Sequence, residues 1–226
     1  MTLRHDLHPL QASREPLLDK TFRQWTTGLD PVRARIRIFE RVRDIPYAVL
    51  PELIDAGRYV DILRVGRGSC TPKHFLLAEM FRRLGLLVLF AVYPFRWGQR
   101  AEILDNYPAR LKEMAKRQPV AYHLACRVEI GGRLVLVDAT LDAALARLEP
   151  LPINLRWDGV SDTQLPMTPT GEELVFHPVE AHRMKPVVTP DALEFYAFLN
   201  RCMEDVRRSG AVALPQARSR LQTKIR

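Results

Sequence analysis

Gly66-Arg67-Gly68-Ser69-Cys70-Thr71-Pro72-Lys73-His74-Phe75-Leu76-Leu77 reads as a flexible, glycine-containing loop that delivers a cysteine to the start of an apolar helix. Pro72 suits the first turn of a helix, where its missing N–H has no partner to lose. Behind it, Phe75, Leu77, Met80, Phe81 and Leu84 recur every three or four residues, the spacing of one buried helix face. Gly85 is the stop signal. Cys70 is therefore expected at, or just before, a helix N-terminus. The unpaired N–H groups there carry partial positive charge and favour the thiolate, the nucleophilic form. That effect reaches about 2 kcal/mol at best, which at about 1.36 kcal/mol per pKa unit lowers a thiol pKa by roughly 1.5. A working nucleophile needs a histidine as well, and the histidine needs a group to orient it.

Residues 120–140 supply both. Tyr122, Leu124, Cys126, Val128 and Ile130 alternate with His123, Ala125, Arg127 and Glu129, the pattern of a half-buried strand. Gly131-Gly132 is a two-residue hairpin turn. Residues 134–137 return as an apolar strand that runs into Asp138-Ala139-Thr140. With the two glycines as the loop, Ile130 faces Arg133, Ala125 faces Asp138 and His123 faces Thr140. His123 and Asp138 then share a sheet face, one diagonal step or about 7–8 Å apart between backbones, a gap that an imidazole and a carboxylate can close. A register slip of one residue would send them to opposite faces. Cys70, His123 and Asp138 are thus a thiol, a base and a carboxylate that fixes the base's tautomer, the set that cysteine acyl transfer requires.

The rest of the chain is read outward from these stretches. Residues 1–19 form an N-terminal arm of mixed charge. Residues 20–208 form a single domain, with a core at about 30–142 and a C-terminal extension that holds a helix over 191–208. Residues 209–226 are a basic tail, read as disordered. Residues 20–43 are helix-rich: Asp30 caps, Pro31 opens the first turn, and Val32, Ile36, Phe39 and Val42 form an apolar stripe. That helix ends at Asp44-Ile45-Pro46-Tyr47, because the residue before a proline avoids helical geometry. Residues 53–63 are short helical or irregular. An apolar strand over 86–93 ends at Pro94. A helix over 101–116 buries Leu104, Leu111 and Met114 and is either peripheral or a lid. Residues 142–148 read as a short helix, 153–160 as a strand and turn, and 174–176 as a short strand. The helix at 191–208 carries Leu193, Phe195, Tyr196, Phe198, Leu199, Cys202, Met203 and Val206 on its apolar side.

Composition narrows the function classes. A chain of 226 residues, 47% of them hydrophobic, can build one good core. The net charge of +8 could attract nucleic acid. However, there is no basic run interleaved with aromatics, no helix-turn-helix signature and no metal-finger spacing, so a nucleic-acid partner is not expected. Cysteines 70, 126 and 202 are odd in number and widely spaced, unlike a disulfide framework. Cys126 and Cys202 lie on apolar stripes and read as core. The N-terminal stretch lacks an apolar signal region, and the run at 86–93 is too short to span a bilayer, so a reducing, cytoplasmic setting without membrane contact is expected. His74 follows Cys70 by four residues, and with His123 a Cys/His/His metal set is conceivable. No fourth ligand accompanies it and a metal would compete with acylation, so neither metal nor cofactor is expected. Lys73 reads as a surface charge. Tyr47, Trp97 and Trp157 are aromatics that either line a site or pack the core.

On these residues the chain resembles the transglutaminase-like superfamily. The resemblance is carried by the segment from Gly66 to Cys70 with the helix after it and Leu84-Gly85-Leu86, by Ala121-Tyr122-His123, and by Val137-Asp138-Ala139-Thr140. Arg43-Asp44-Ile45-Pro46-Tyr47 is similar to the lead-in to that core. Ala125 stands where many members carry a tryptophan two residues after the histidine. The resemblance implies an α+β, papain-like core in which N-terminal helices, one bearing the cysteine, pack on an antiparallel sheet. It implies a triad of Cys70, His123 and Asp138. It further implies a cysteine-dependent acyl-transfer enzyme that hydrolyses an amide or peptide bond through a Cys70 thioester. The substrate would be a peptide, a protein or an amide-containing small molecule. A protein-amide acyltransferase and a non-catalytic binding module of the same core are the alternatives.

Overall fold

The structure, a computed structural model, describes residues 15–99, 108–147, 152–177 and 188–208. Helix α1 (Glu15–Thr26) opens with Pro16 in its first turn and buries Leu18. The segment expected as an arm is therefore helical from residue 15, because Leu18 reaches the main core; residues 1–14 and the tail from 209 lie outside the described residues. Helix α2 (Pro31–Arg43) starts as expected: Asp30 accepts from the N–H groups of Val32 and Arg33 at 3.0 and 2.9 Å. Its buried face is Ala34, Ile38, Phe39 and Val42; Val32 is exposed, since the first turn projects beyond the core. Two 3₁₀ segments, Pro51–Leu53 and Ala56–Asp61, and the four-residue helix α3 (Ile62–Val65) lead to the glycine loop.

Helix α4 (Cys70–Arg83) is the centre of the packing: Leu76, Leu77, Ala78, Met80 and Phe81 are fully buried. Arg83 at its end binds Glu79, Glu15 and Asp19, which fastens α1 to it. Strand β1 (Val88–Phe95), helix α5 (Ala109–Arg117), strands β2 (Ala121–Ile130), β3 (Arg133–Val137) and β4 (Leu174–Phe176), and helix α6 (Pro190–Arg208) complete the described elements. The four strands form one antiparallel sheet in the order β3-β2-β1-β4, and the fold class is α+β. None of the described helices is long and apolar enough to cross a membrane.

Three expectations are corrected here. β1 does not stop at Pro94: Tyr93 pairs with His123, Pro94 with Tyr122 and Phe95 with Ala121. The Pro94 carbonyl accepts from Thr170 N at 2.8 Å on the β4 side, past the last β4 pair at residue 92. The missing N–H therefore points where no partner strand needs it. β2 is not half-buried: His123, Leu124, Ala125 and Cys126 are all buried. One face packs on α4, and the other, with Ala91, Tyr93 and Leu136, is covered by Leu165 and Met167 from a loop. Residues 153–160 form no strand. Trp157 inserts among Phe39 and Phe81, at ring separations of 5.3 and 6.0 Å, so the segment is shaped by a core anchor instead of a ladder.

A second apolar cluster joins Leu111, Met114 and Ala115 of α5 to Phe195, Leu199 and Met203 of α6, together with Tyr47, Val49 and Leu145. Leu145 sits on the 3₁₀ turn Ala143–Arg147. The part of the 101–116 helix that includes Leu104 lies outside the described residues; α5 itself is a packed wall of this cluster. α6 is fastened by polar contacts as well. The Asn200 side-chain amide brackets the Val49 backbone at 2.8 and 2.9 Å. Arg207 binds Asp142 and the Tyr47 carbonyl at 2.6 and 2.8 Å.

Candidate active site

α4 begins at Cys70 with Ser69 as its cap residue, where the loop reading puts it. The glycine pattern before it has a steric cause. Gly68 bridges to Tyr47, and a Cβ there would lie 2.7 Å from Ile62 Cδ1. A side chain there would have to push the Ile62 and Pro72 side chains aside, so glycine lets the loop close against α3 without disturbing the start of α4.

The hairpin has the register derived from Gly131-Gly132: Ile130 pairs with Arg133 and Cys126 with Val137. Both turn glycines have positive φ, 59° and 78°, the geometry that a right-twisted two-residue turn demands. The result is the diagonal contact: His123 Nε2 lies 2.5 Å from Asp138 Oδ2. Asp138 is fixed from every side. Its Oδ1 accepts from Thr140 N at 2.9 Å, its N–H donates to Thr163 Oγ1 at 2.7 Å, and its carbonyl accepts from Asn154 Nδ2 at 3.1 Å. The Cys70 thiol lies close enough to the same His123 ring for each group to shift the other's titration. The three residues are therefore in one chain of contacts, with His123 and Asp138 buried and Cys70 half-buried.

The electrostatics follow from that chain. Burial alone would push the Cys70 thiol up; the hydrogen bond and charge of His123, with the Leu124 backbone amide, bring it below its ordinary value against the opposing charge of Asp138. Burial would lower His123, but the Asp138 carboxylate and then Cys70 raise it to about 10. Burial would raise Asp138, and the charge and hydrogen bond of His123 bring it below the usual carboxylate range. The other two thiols move the opposite way. Burial raises Cys126 well above its ordinary value, and burial followed by Asp205 raises Cys202.

His74 is fully buried and has both ring nitrogens engaged: Nδ1 lies 2.9 Å from the Cys70 carbonyl and Nε2 accepts from Ala139 N at 3.0 Å. The Cys/His/His metal set is therefore not formed. The ring instead ties the start of α4 to the residue after Asp138. Burial first, and the neighbouring His123 charge, draw its pKa down to about 4 against the pull of Asp138.

Lys73 is not a surface charge. It is fully buried and its Nζ donates to the carbonyls of Arg43, Ile45 and Thr140 at 2.9, 2.8 and 2.6 Å. Burial draws its pKa down to about 7, with Asp142 and Asp138 pulling upward. The signal was in the spacing: Lys73 precedes Leu76 and Leu77 by three and four residues, on the buried face of the helix.

Beside His123 lies a cavity walled by Phe95, Trp97, Thr140, Leu111, Phe195 and Leu199, with Tyr47 and Met203 also on it. Of the three aromatics singled out in the sequence, Tyr47 and Trp97 line this cavity, while Trp157 packs the main core. Tyr196 of α6 is close enough to Cys70 for the thiol's charge, after burial, to raise its pKa.

Compared with protein-family models, with curated proteins and with solved structures, the chain finds no match.

Proposed function

We propose that this is a cysteine acyl-transfer enzyme with a transglutaminase-like, papain-like core, and that it hydrolyses an amide or peptide bond through a Cys70 thioester. The observation that carries the reading is a single imidazole, His123, hydrogen-bonded to the Asp138 carboxylate and within electrostatic reach of the Cys70 thiol, whose pKa it draws down. A cysteine at a helix start, a histidine on β2 and an acid just past the end of the adjoining β3 are further support.

The chemistry runs through those three groups. Asp138 holds Nε2–H and leaves Nδ1 to the thiol, so the resting pair is thiolate and imidazolium. Cys70 Sγ attacks the carbonyl carbon, forming the C–S bond while charge moves to the carbonyl oxygen. The Cys70 N–H, in the first turn of α4, is a donor for that oxygen. Collapse breaks the C–N bond, and the His123 proton passes to the departing nitrogen. Water then attacks the thioester with His123 taking its proton, which returns the thiolate and releases the acid.

Iodoacetamide labelling at pH 6, followed by peptide mass mapping, tests this reading. Cys70 is expected to react at least tenfold faster than Cys126 or Cys202. Equal reactivity of the three would overturn it. A panel of amide substrates assayed with wild type and Cys70→Ala then reads turnover directly; cleavage that survives Cys70→Ala would also overturn it.

A further inference from the structure

We propose that the cavity beside His123 receives the amine half of the substrate and selects an uncharged aromatic amine. This rests on the thioester reading above and adds the substrate class to it.

Position comes first. The cavity is walled by His123 and Thr140 but not by Cys70. In acyl transfer the acyl group is carried on sulfur, while the leaving nitrogen must come within hydrogen-bond reach of the histidine that protonates it. Whatever that nitrogen bears lies on the histidine side, which is where the cavity is. When the C–S bond forms and the C–N bond breaks, the His123 proton goes to the nitrogen and a neutral amine is left in the cavity.

Chemistry comes second. Trp97 lies 5.1 Å from Phe95 and 5.2 Å from Phe195, both edge-to-face, and Phe95 lies 6.5 Å from the His123 ring in the same manner. A chain of tilted rings that ends on the catalytic imidazole is a surface on which another ring packs well. Charge selects further. The cavity walls carry Arg96 and the His123 imidazolium and, among the described residues, no Asp or Glu. Aromatic faces attract cations weakly, but an ammonium brought here would be desolvated between two positive groups with no carboxylate to meet it, and that penalty is the larger. An amine half that carries a second, charged nitrogen, such as a diamine, is therefore disfavoured.

A third observation is independent of both. Thr140 Oγ1 is the one buried side-chain polar atom without a hydrogen-bond partner among the described residues, and Thr140 borders the cavity. Native structures rarely leave such a group unexplained. The oxygen itself is covered, and an amine N–H meets it once the Thr140 side chain turns toward the cavity.

The test is a ¹⁹F NMR titration of the full chain with 4-fluoroaniline, neutral at pH 7, and with 4-fluorobenzylamine, which is an ammonium at that pH. 4-Fluoroaniline is expected to bind saturably, and the ammonium at least tenfold more weakly. Leu199→Trp, which fills the cavity, should abolish binding of 4-fluoroaniline, and Thr140→Val, which keeps the shape, should weaken it several-fold. Absence of saturable binding, equal binding of the two ligands, or binding indifferent to both variants overturns the inference. If Leu199→Trp does not fold, the two-ligand comparison and Thr140→Val decide. Labelling of Cys70 separates this inference from the reading that it rests on. A reactive Cys70 without 4-fluoroaniline binding overturns the inference alone, and an unreactive Cys70 overturns the thioester reading whatever the titration gives.

Discussion

Asp138 spends one carboxylate oxygen on the His123 ring and the other on the Thr140 N–H. In Asp138→Asn the amide loses the charge that keeps the imidazole protonated and offers N–H where an acceptor is needed, which favours the wrong tautomer. Alkylation of Cys70 at pH 6 is expected to slow by about two orders of magnitude, read from iodoacetamide rates across pH. Two histidines also make opposite contributions to stability. His123, raised to about 10, contributes fully below the pKa of about 6.5 of a free imidazole, and its contribution is lost as pH rises through 10. His74, lowered from 6.5 to about 4, contributes above pH 6.5, and its contribution is lost as pH falls toward 4. Urea midpoints should therefore drop between pH 6.5 and 4, and His74→Gln should flatten that drop while costing stability at pH 7. The placing of Cys70, His123 and Asp138 was open to sequence reasoning because each position is set by a local pattern. For Lys73 the helix spacing marks a buried position but not its partners, and the partners of His74 were equally hidden, because burial of a polar group depends on backbone groups such as the carbonyl of Ile45 and the N–H of Ala139, which a residue type does not announce.

At the next scale, α4 is joined to two neighbours by one ammonium. Lys73 holds the turn after α2 through the Arg43 and Ile45 carbonyls and the exit of β3 through that of Thr140. Lys73→Met leaves those three buried acceptors without a donor, at about 1–3 kcal/mol each. A loss of about 3 kcal/mol or more is expected in urea unfolding. α6 is held differently, by Asn200 on Val49 and Arg207 on Asp142 and Tyr47. Asn200→Ala should raise amide hydrogen exchange in α6 and leave β2 unchanged. Elements governed by period and punctuation were legible: the hairpin with its glycine turn, the capped start of α2, and the cysteine at the head of α4. The loop over 153–160 was not. It looks like a strand on its own but takes its course from Trp157 in the core and from Arg43, which donates to the carbonyls of Asn154 and Leu155 at 3.3 and 2.5 Å.

For the molecule as a whole, two apolar clusters bracket the site. One unites α4, α2 and the inner face of the sheet; the other unites α5 and α6. Cys70 and His123 lie where they meet, and this explains why three residues from distant parts of the chain are held by so many polar ties. The geometry reaches further than those ties. The Gly131-Gly132 bend stands at the opposite end of its hairpin from Asp138, roughly 20 Å away at about 3.3 Å per residue. Strand side chains alternate, so adding one residue at that bend reverses the parity of everything beyond it. A chain with all three side chains present and its main packing intact would then carry its carboxylate on the wrong side of the hairpin. The site depends on counting as much as on composition: two residues at a distant corner decide whether the His123 ring meets an acid at all.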